Sequence, residues 1–197
     1  TYPEMVRDYL KEVENKNRLN IYINSPGGSV FAGLAIYNML KRHKAEKTVY
    51  VDGVAASIAS VIAMAGDRVI IPSNAFLMVH KPWTIAIGNA DDFLKAAEDL
   101  EAIETGIMNV YEENMAEGVE LETIQEMVAE ETWLNGREAA KYFNVEVGEE
   151  NNIAACVDSD FLKNYKNVPD NLPSDEGGGD DETLKLKMQN ELDLLTL

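Results

Sequence analysis

The stretch RLNIYINSPGGSVFAGLAIYNMLKRHK (18–44) constrains the fold most, because its periodicity changes at one point. Up to Ser25 apolar and polar residues alternate, the pattern of a strand, and Pro26-Gly27-Gly28 closes it with a tight turn. Beyond the turn Val30, Leu34, Ile36, Tyr37 and Leu40 fall at near-helical spacing, with Lys41-Arg42-His43-Lys44 in the last turn, where cations suit a helix C-terminus. KTVYVDG (47–53) then reads as a second strand, and AASIASVIAMAG (55–66) as a helix buried on most sides and ended by Gly66. RVIIP (68–72) and AFLMVH (75–80) are two further strands, split by Pro72-Ser73-Asn74. Strand, helix, strand, helix, strand predicts a layered α/β fold with right-handed crossovers.

Asn89 is placed to cap a long helix running to about Glu117, with Asp91 and Asp92 in its first turn and Phe93, Ala96, Leu100, Ile103, Ile107, Val110 and Tyr111 as an apolar stripe. Such a helix is roughly 40 Å long, so part of it is expected to project from the domain and pack on a neighbour. Residues 120–130 and 135–143 read as two shorter helices. A chain of 197 residues suits one core with a tail: a domain over 1–165, an acidic flexible linker over 166–183, and a short amphipathic segment over 184–197. The net charge of −18 argues against a phosphate-binding nucleic-acid partner. The longest apolar runs are broken before membrane-spanning length. The single cysteine, Cys156, reads as a buried small hydrophobe in a reducing compartment. The opening TYPEMVRDYLKEVENKNR has no initiator Met, basic n-region or apolar h-region, which is expected of a fragment rather than a precursor.

Within this frame the hydroxyl of Ser57 falls at a strand-to-helix junction, where free backbone N–H groups and the positive end of a helix dipole favour developing negative charge. From this stretch alone an N-cap, the commonest role of a serine at such a place, is the favoured account of Ser57, and Ser60, one turn on, reads as helix packing. A nucleophilic serine needs a base, and the chain holds two histidines. His43 lies in the basic cluster; His80 ends the strand AFLMVH, just before Lys81-Pro82, where an imidazole can face a cleft or serve a structural role. The turn Ser25–Ser29 exposes amides that no side chain blocks, and without a Gly-Lys-Ser/Thr it is not a phosphate loop.

Together, and in this order, NSPGGSVFAGLAIYNML, GVAASIASVIAMAG, FLMVHKP and ETWLNGREA resemble the proteolytic subunit of the Clp protease, the ClpP family, over about residues 18–142. ETWLNGREA, HKPW and GNADDF resemble more closely the ClpP-like head maturation proteases of phages and prophages. The resemblance implies a ClpP/crotonase-like layered superhelix with the long helix as a projecting handle. It implies a serine endopeptidase with Ser57 as nucleophile, His80 as general base, and the amides of Gly28 and Ile58 as the oxyanion hole. Glu131 stands where the family has an aspartate, with Glu130 and Asp158 as the other candidates for the acid. No metal or cofactor is implied. The expected partners are a polypeptide bound as an extended strand, further copies of the chain in a ring or stacked rings, and either phage scaffold and capsid proteins or an AAA+ unfoldase. The expected location is the bacterial cytoplasm, or a phage prohead within it. The sequence departs from the family after the Glu-Ala helix, where Phe143-Asn144-Val145-Glu146 replaces Gly-apolar-Asp, and it lacks the family's N-terminal strand. A crotonase-like acyl-CoA hydratase or isomerase, a Ser-Lys peptidase and a catalytically inactive ring component are the competing readings.

Overall fold

The computed structural model describes residues 1–149 and 165–169. Helix α1 (Pro3–Glu12) precedes strand β1 (Arg18–Ser25), helix α2 (Val30–Arg42), strand β2 (Glu46–Ala56), helix α3 (Ile58–Ala63), strand β3 (Arg68–Pro72) and strand β4 (Phe76–Val79). Helices α4 (Ala90–Glu113) and α5 (Leu121–Ala129), strand β5 (Thr132–Asn135), helix α6 (Gly136–Tyr142) and strand β6 (Glu146–Gly148) follow. The expected α/β layering is present. Where the elements differ from expectation, the reasons are local. Strand β2 does not stop at Gly53 but continues to Ala56, because its second half finds a new partner strand, and only Ile58–Ala63 of the expected 55–66 helix is helical. The long helix ends at Glu113 rather than near Glu117. Helix α1 and strands β5 and β6 were not anticipated.

The six strands form one sheet around β2. On one side β1 runs parallel, pairing Arg18 with Glu46 through Ile23 with Val51, before a shift that brings Ser25 opposite Ala55. At that shift the side chain of Asn24 accepts a hydrogen bond from the Val54 amide, so the interrupted ladder keeps its donor satisfied. On the other side β2 serves two partners in succession: β3 along Thr48–Tyr50 and β4 along Val54–Ala56. Strand β6 extends β3 in parallel, and β5 closes β4 antiparallel, with Met78 opposite Trp133. The end of β2 is buried on both faces. Ala55 joins the main core, while Val54 and Ala56 form a second apolar cluster with Phe76 and Met78, against which Trp133, Tyr165 and Val168 pack. Two buried faces explain why this run is continuously apolar rather than alternating.

The helices are set by local chemistry. Ser29 caps α2, and Asn89–Asp92 and Asn135–Glu138 form reciprocal capping boxes at the starts of α4 and α6. Gly33 lets α2 meet α3: a Cβ there would fall 2.2 Å from the Ile58 side chain. Helix α4 is about 36 Å long at 1.5 Å per residue. Its C-terminal part buries Ile107, Val110 and Tyr111, whereas Phe93 and Leu94 near its start are 53% and 66% exposed. No helix among the described residues is long and apolar enough to cross a membrane. His43, unlike its exposed neighbours Lys41, Arg42 and Lys44, is partly buried; its Nδ1 accepts from the Ala45 amide, and its buried Nε2 has no partner among the described residues.

Candidate active site

The register that pairs Ala56 with Met78 carries the next residues of both strands to one end of the sheet, and those ends hold Ser57 and His80. Ser57 sits on the elbow between β2 and α3 with φ 56° and ψ −131°, a conformation that costs a non-glycine residue on the order of 1–3 kcal/mol. The surroundings hold it there. Its N–H donates to the Met78 carbonyl at 3.0 Å, and its carbonyl accepts from the Ser60 N–H at 3.0 Å and the Ser60 hydroxyl at 2.5 Å. The fully buried Ser60 hydroxyl also meets the Tyr111 hydroxyl of α4 at 2.7 Å. From the other side Gly27, at φ +102°, lies so close that a Cβ would stand 2.7 Å from the Ser57 Cβ and 2.8 Å from the Ala56 carbonyl oxygen.

Ser57 makes no N-cap bond. Its Oγ instead lies 2.7 Å from Nε2 of His80. His80 is partly buried, and that burial lowers the imidazole below its ordinary pKa; the negative charge of Glu131 opposes the shift. Burial thus favours the neutral imidazole, the form able to accept a proton. Gly28 follows Gly27 in the same turn at φ +146°, where an added Cβ would meet nothing within 4 Å. Neither the Gly28 nor the Ile58 N–H has a hydrogen-bond partner among the described residues. Two free donors near a serine elbow can receive an oxyanion.

Glu131 belongs to the same neighbourhood. It shares a cavity of about 420 Å³ with His80, Pro82, Trp83, Glu130 and Lys166. Its own φ is 54°, and its Oε1 accepts from the backbone N–H groups of Lys166 at 2.6 Å and Asn167 at 2.8 Å. No hydrogen bond joins Glu131 to His80 among the described residues, so the two interact through charge across the cavity. Glu130 is adjacent, and its carbonyl accepts from the Asn167 side chain. Asp158 lies outside the described residues. The expected linker over 166–183 begins in contact with this site at Lys166–Pro169, and its remainder also lies outside the described residues.

Sequence reasoning missed Tyr111, Tyr165 and Asn167. Tyr165 donates its hydroxyl hydrogen bond to the Pro26 carbonyl, and its ring meets His80 edge-on with centroids 5.3 Å apart. Burial raises its pKa above the ordinary phenol value. No spacing rule points to a tyrosine this far along the chain. Tyr111 was legible only as a member of the α4 apolar stripe.

A serine elbow at the carboxyl end of a parallel strand, with its hydroxyl against an imidazole nitrogen, defines a serine-type endopeptidase within a curled α/β fold. The chain belongs to the Clp protease family, whose model matches residues 5–146. It is 35% identical over 137 residues to an ATP-dependent Clp protease proteolytic subunit of Chlorella vulgaris, covering 68% of this chain and 67% of the relative. A protein of the same name from Oltmannsiellopsis viridis is 34% identical over 137 residues, covering 68% of this chain and 69% of its own length. One from Bacteroides fragilis is 31% identical over 137 residues, covering 68% and 65%. The chain thus spans about two thirds of the length of each relative.

Proposed function

We propose that the chain is a ClpP-type endopeptidase in which Ser57 is the nucleophile, His80 the general base, Glu131 the acid that orients His80, and the Gly28 and Ile58 amides the oxyanion hole. The observation that carries this reading is the 2.7 Å contact between Ser57 Oγ and His80 Nε2 on a strained elbow. His80 takes the Ser57 proton as Oγ attacks the peptide carbonyl, and the two amides receive the tetrahedral oxyanion. His80 then returns the proton to the leaving amine, and water releases the acyl group by the same route. Glu131 balances the charge of the imidazolium while it exists. Substrate lies as an extended strand beside the Gly27–Gly28 turn, where backbone pairing supports broad acceptance.

The finer biology follows from the ETWLNGREA frame: cleavage of phage scaffold or capsid proteins during head maturation, in the host cytoplasm, with an AAA+ unfoldase as the alternative partner. Assembly into a ring is supported by exposed apolar residues that continue from Trp83, Ile85 and Ile87 into Phe93 and Leu94 of α4. The stripe residue Ile107 packs into the chain's own core, so assembly is tested at the exposed end. Phe93→Asp with Leu94→Asp should leave the fold intact and lower the mass seen by light scattering; an unchanged mass removes this helix from the interface.

Activity is tested with a fluorophosphonate and a fluorogenic peptide. The expected result is stoichiometric labelling at Ser57, with labelling and hydrolysis both abolished in Ser57→Ala. An unlabelled, inactive parent favours the inactive ring component, and turnover of an enoyl-CoA without labelling favours the crotonase-like enzyme. Incubation with scaffold and capsid proteins, with and without an unfoldase and ATP, separates the two substrate routes.

A further inference from the structure

The chain beyond the family-matched region returns to the site: residues 165–169 are described, while the match ends at residue 146. We propose that Asn167, with Tyr165, is a positioning residue of the Ser57–His80–Glu131 site, clamping the glutamate and the oxyanion turn through hydrogen bonds that the matched domain does not itself provide. This inference rests on the peptidase reading above.

Glutamate has one more rotatable bond than aspartate, so a glutamate in the acid's place needs more to hold it. The clamp supplies this in two ways. The Lys166 and Asn167 N–H groups both donate to Glu131 Oε1, which fixes one carboxylate oxygen and leaves Oε2 without a hydrogen bond among the described residues. The Asn167 carboxamide then donates to the Glu130 carbonyl at 2.7 Å and the Glu131 carbonyl at 3.1 Å, bracing a residue whose φ is 54°. A planar NH₂ can serve two carbonyls at once, which neither alanine nor aspartate at this position can do. Tyr165 extends the clamp across the cleft: its hydroxyl ties the Pro26 carbonyl, two residues before Gly28, and its ring stands edge-on to His80 and to Trp133. Val168 anchors the segment on the second apolar cluster. Neither Asn167 nor Tyr165 needs to exchange a proton with substrate.

The test uses the full chain and a fluorogenic peptide, with rates expressed per site titrated by a fluorophosphonate so that misfolded protein does not count. Asn167→Ala should lower kcat roughly 10- to 100-fold, the scale of a small misplacement of a catalytic group, with KM little changed. The acid limb of its kcat/KM profile should move to lower pH, because the Glu131 backbone loses its brace and the carboxylate, though still offered the two backbone N–H groups, is no longer kept where its charge opposes the burial of His80. Asn167→Gln, which keeps both donors, should recover part of the rate, and Tyr165→Phe should cost a few-fold, the worth of one hydrogen bond. In a Glu131→Gln background Asn167→Ala should add almost nothing. A parental kcat and acid limb in Asn167→Ala overturn the inference; so does a faster enzyme, which would make the segment a strap that obstructs the site. If Asn167→Ala does not fold, Tyr165→Phe and Asn167→Gln decide: parental kcat in both overturns the inference. Retention of activity in Ser57→Ala would instead overturn the peptidase reading.

Discussion

Ser57 and His80 are placed by the sheet, whereas Glu131 is placed by a connection and a returning segment. The first two follow β2 and β4, whose parallel register is fixed by continuous buried pairs, Val54 with Phe76 and Ala56 with Met78. Glu131 lies between α5 and β5, partly exposed, and its carboxylate bonds go to residues 35 and 36 positions further along the chain. A strand register cannot slip by one residue without turning buried side chains outward. A single carboxylate can shift without disturbing the core. In the proposed site the nucleophile and base are therefore held by packed strands, and the acid by a few hydrogen bonds from a distant segment.

The contrast is broken most directly at its rigid end. Ser57→Ala should lower kcat by roughly 10⁶-fold, and adding His80→Ala should make it scarcely worse, since members of such a unit are not additive. Inactivation by Ser60→Ala with Ser57→Ala still active would reverse the assignment. Next in size, Glu131→Gln should lower kcat by roughly 10²- to 10⁴-fold while leaving fluorophosphonate labelling of Ser57 measurable. Equal activity in Glu131→Gln, with loss in Glu130→Gln or Asp158→Asn, would transfer the acid's role.

The same difference explains what the sequence could disclose. The strands β1 to β4 and helix α2 were legible because burial imposes a period on them, whereas Ser57 and His80 stood out through the resemblance of GVAASIASVIAMAG and FLMVHKP to the ClpP family rather than through spacing. The continuation of β2 to Ala56 was hidden because a strand buried on both faces loses its alternation and looks like the start of an apolar helix. Strands β5 and β6, of four and three residues, are too short to show a period. Helix α1 was readable in retrospect: Pro3 stands at its first turn, and Val6, Leu10 and Val13 mark its inner face. Tyr165 and Asn167 had no such signal, because a hydrogen bond from a distant segment leaves no mark on local spacing.

Ser60→Ala is a smaller test of how the elbow is held. The Ser60 hydroxyl joins the Ser57 carbonyl to the Tyr111 hydroxyl, which is so deeply buried that its pKa is raised far above the ordinary phenol value. Removing it strands the Tyr111 hydroxyl in the core, so stability should fall by about 1–3 kcal/mol in chemical denaturation. The double change Ser60→Ala with Tyr111→Phe removes both partners and should recover most of that loss. If the double variant is no better than the single, the cost lies in the elbow's backbone rather than in the orphaned hydroxyl.

The smallest expected effect is also the one that reads the balance between the two parts of the site. Burial lowers the pKa of His80, and the charge of Glu131 raises it by less. Only the neutral imidazole can accept the Ser57 proton, so activity is lost as pH falls through the pKa of His80 in the free enzyme, which kcat/KM reports. The acid limb of the parent should therefore lie below the usual imidazole value of about 6.5. In Glu131→Gln the raising charge is gone while burial remains, so the limb should move lower still, even as the plateau drops. A parental limb above 6.5 would mean that the carboxylate outweighs burial, as it would if Glu131 closed directly onto Nδ1 in the working enzyme. A limb unmoved by Glu131→Gln would mean that the carboxylate is too distant or too screened to act on His80, and the acid would then have to be sought at Glu130 or Asp158.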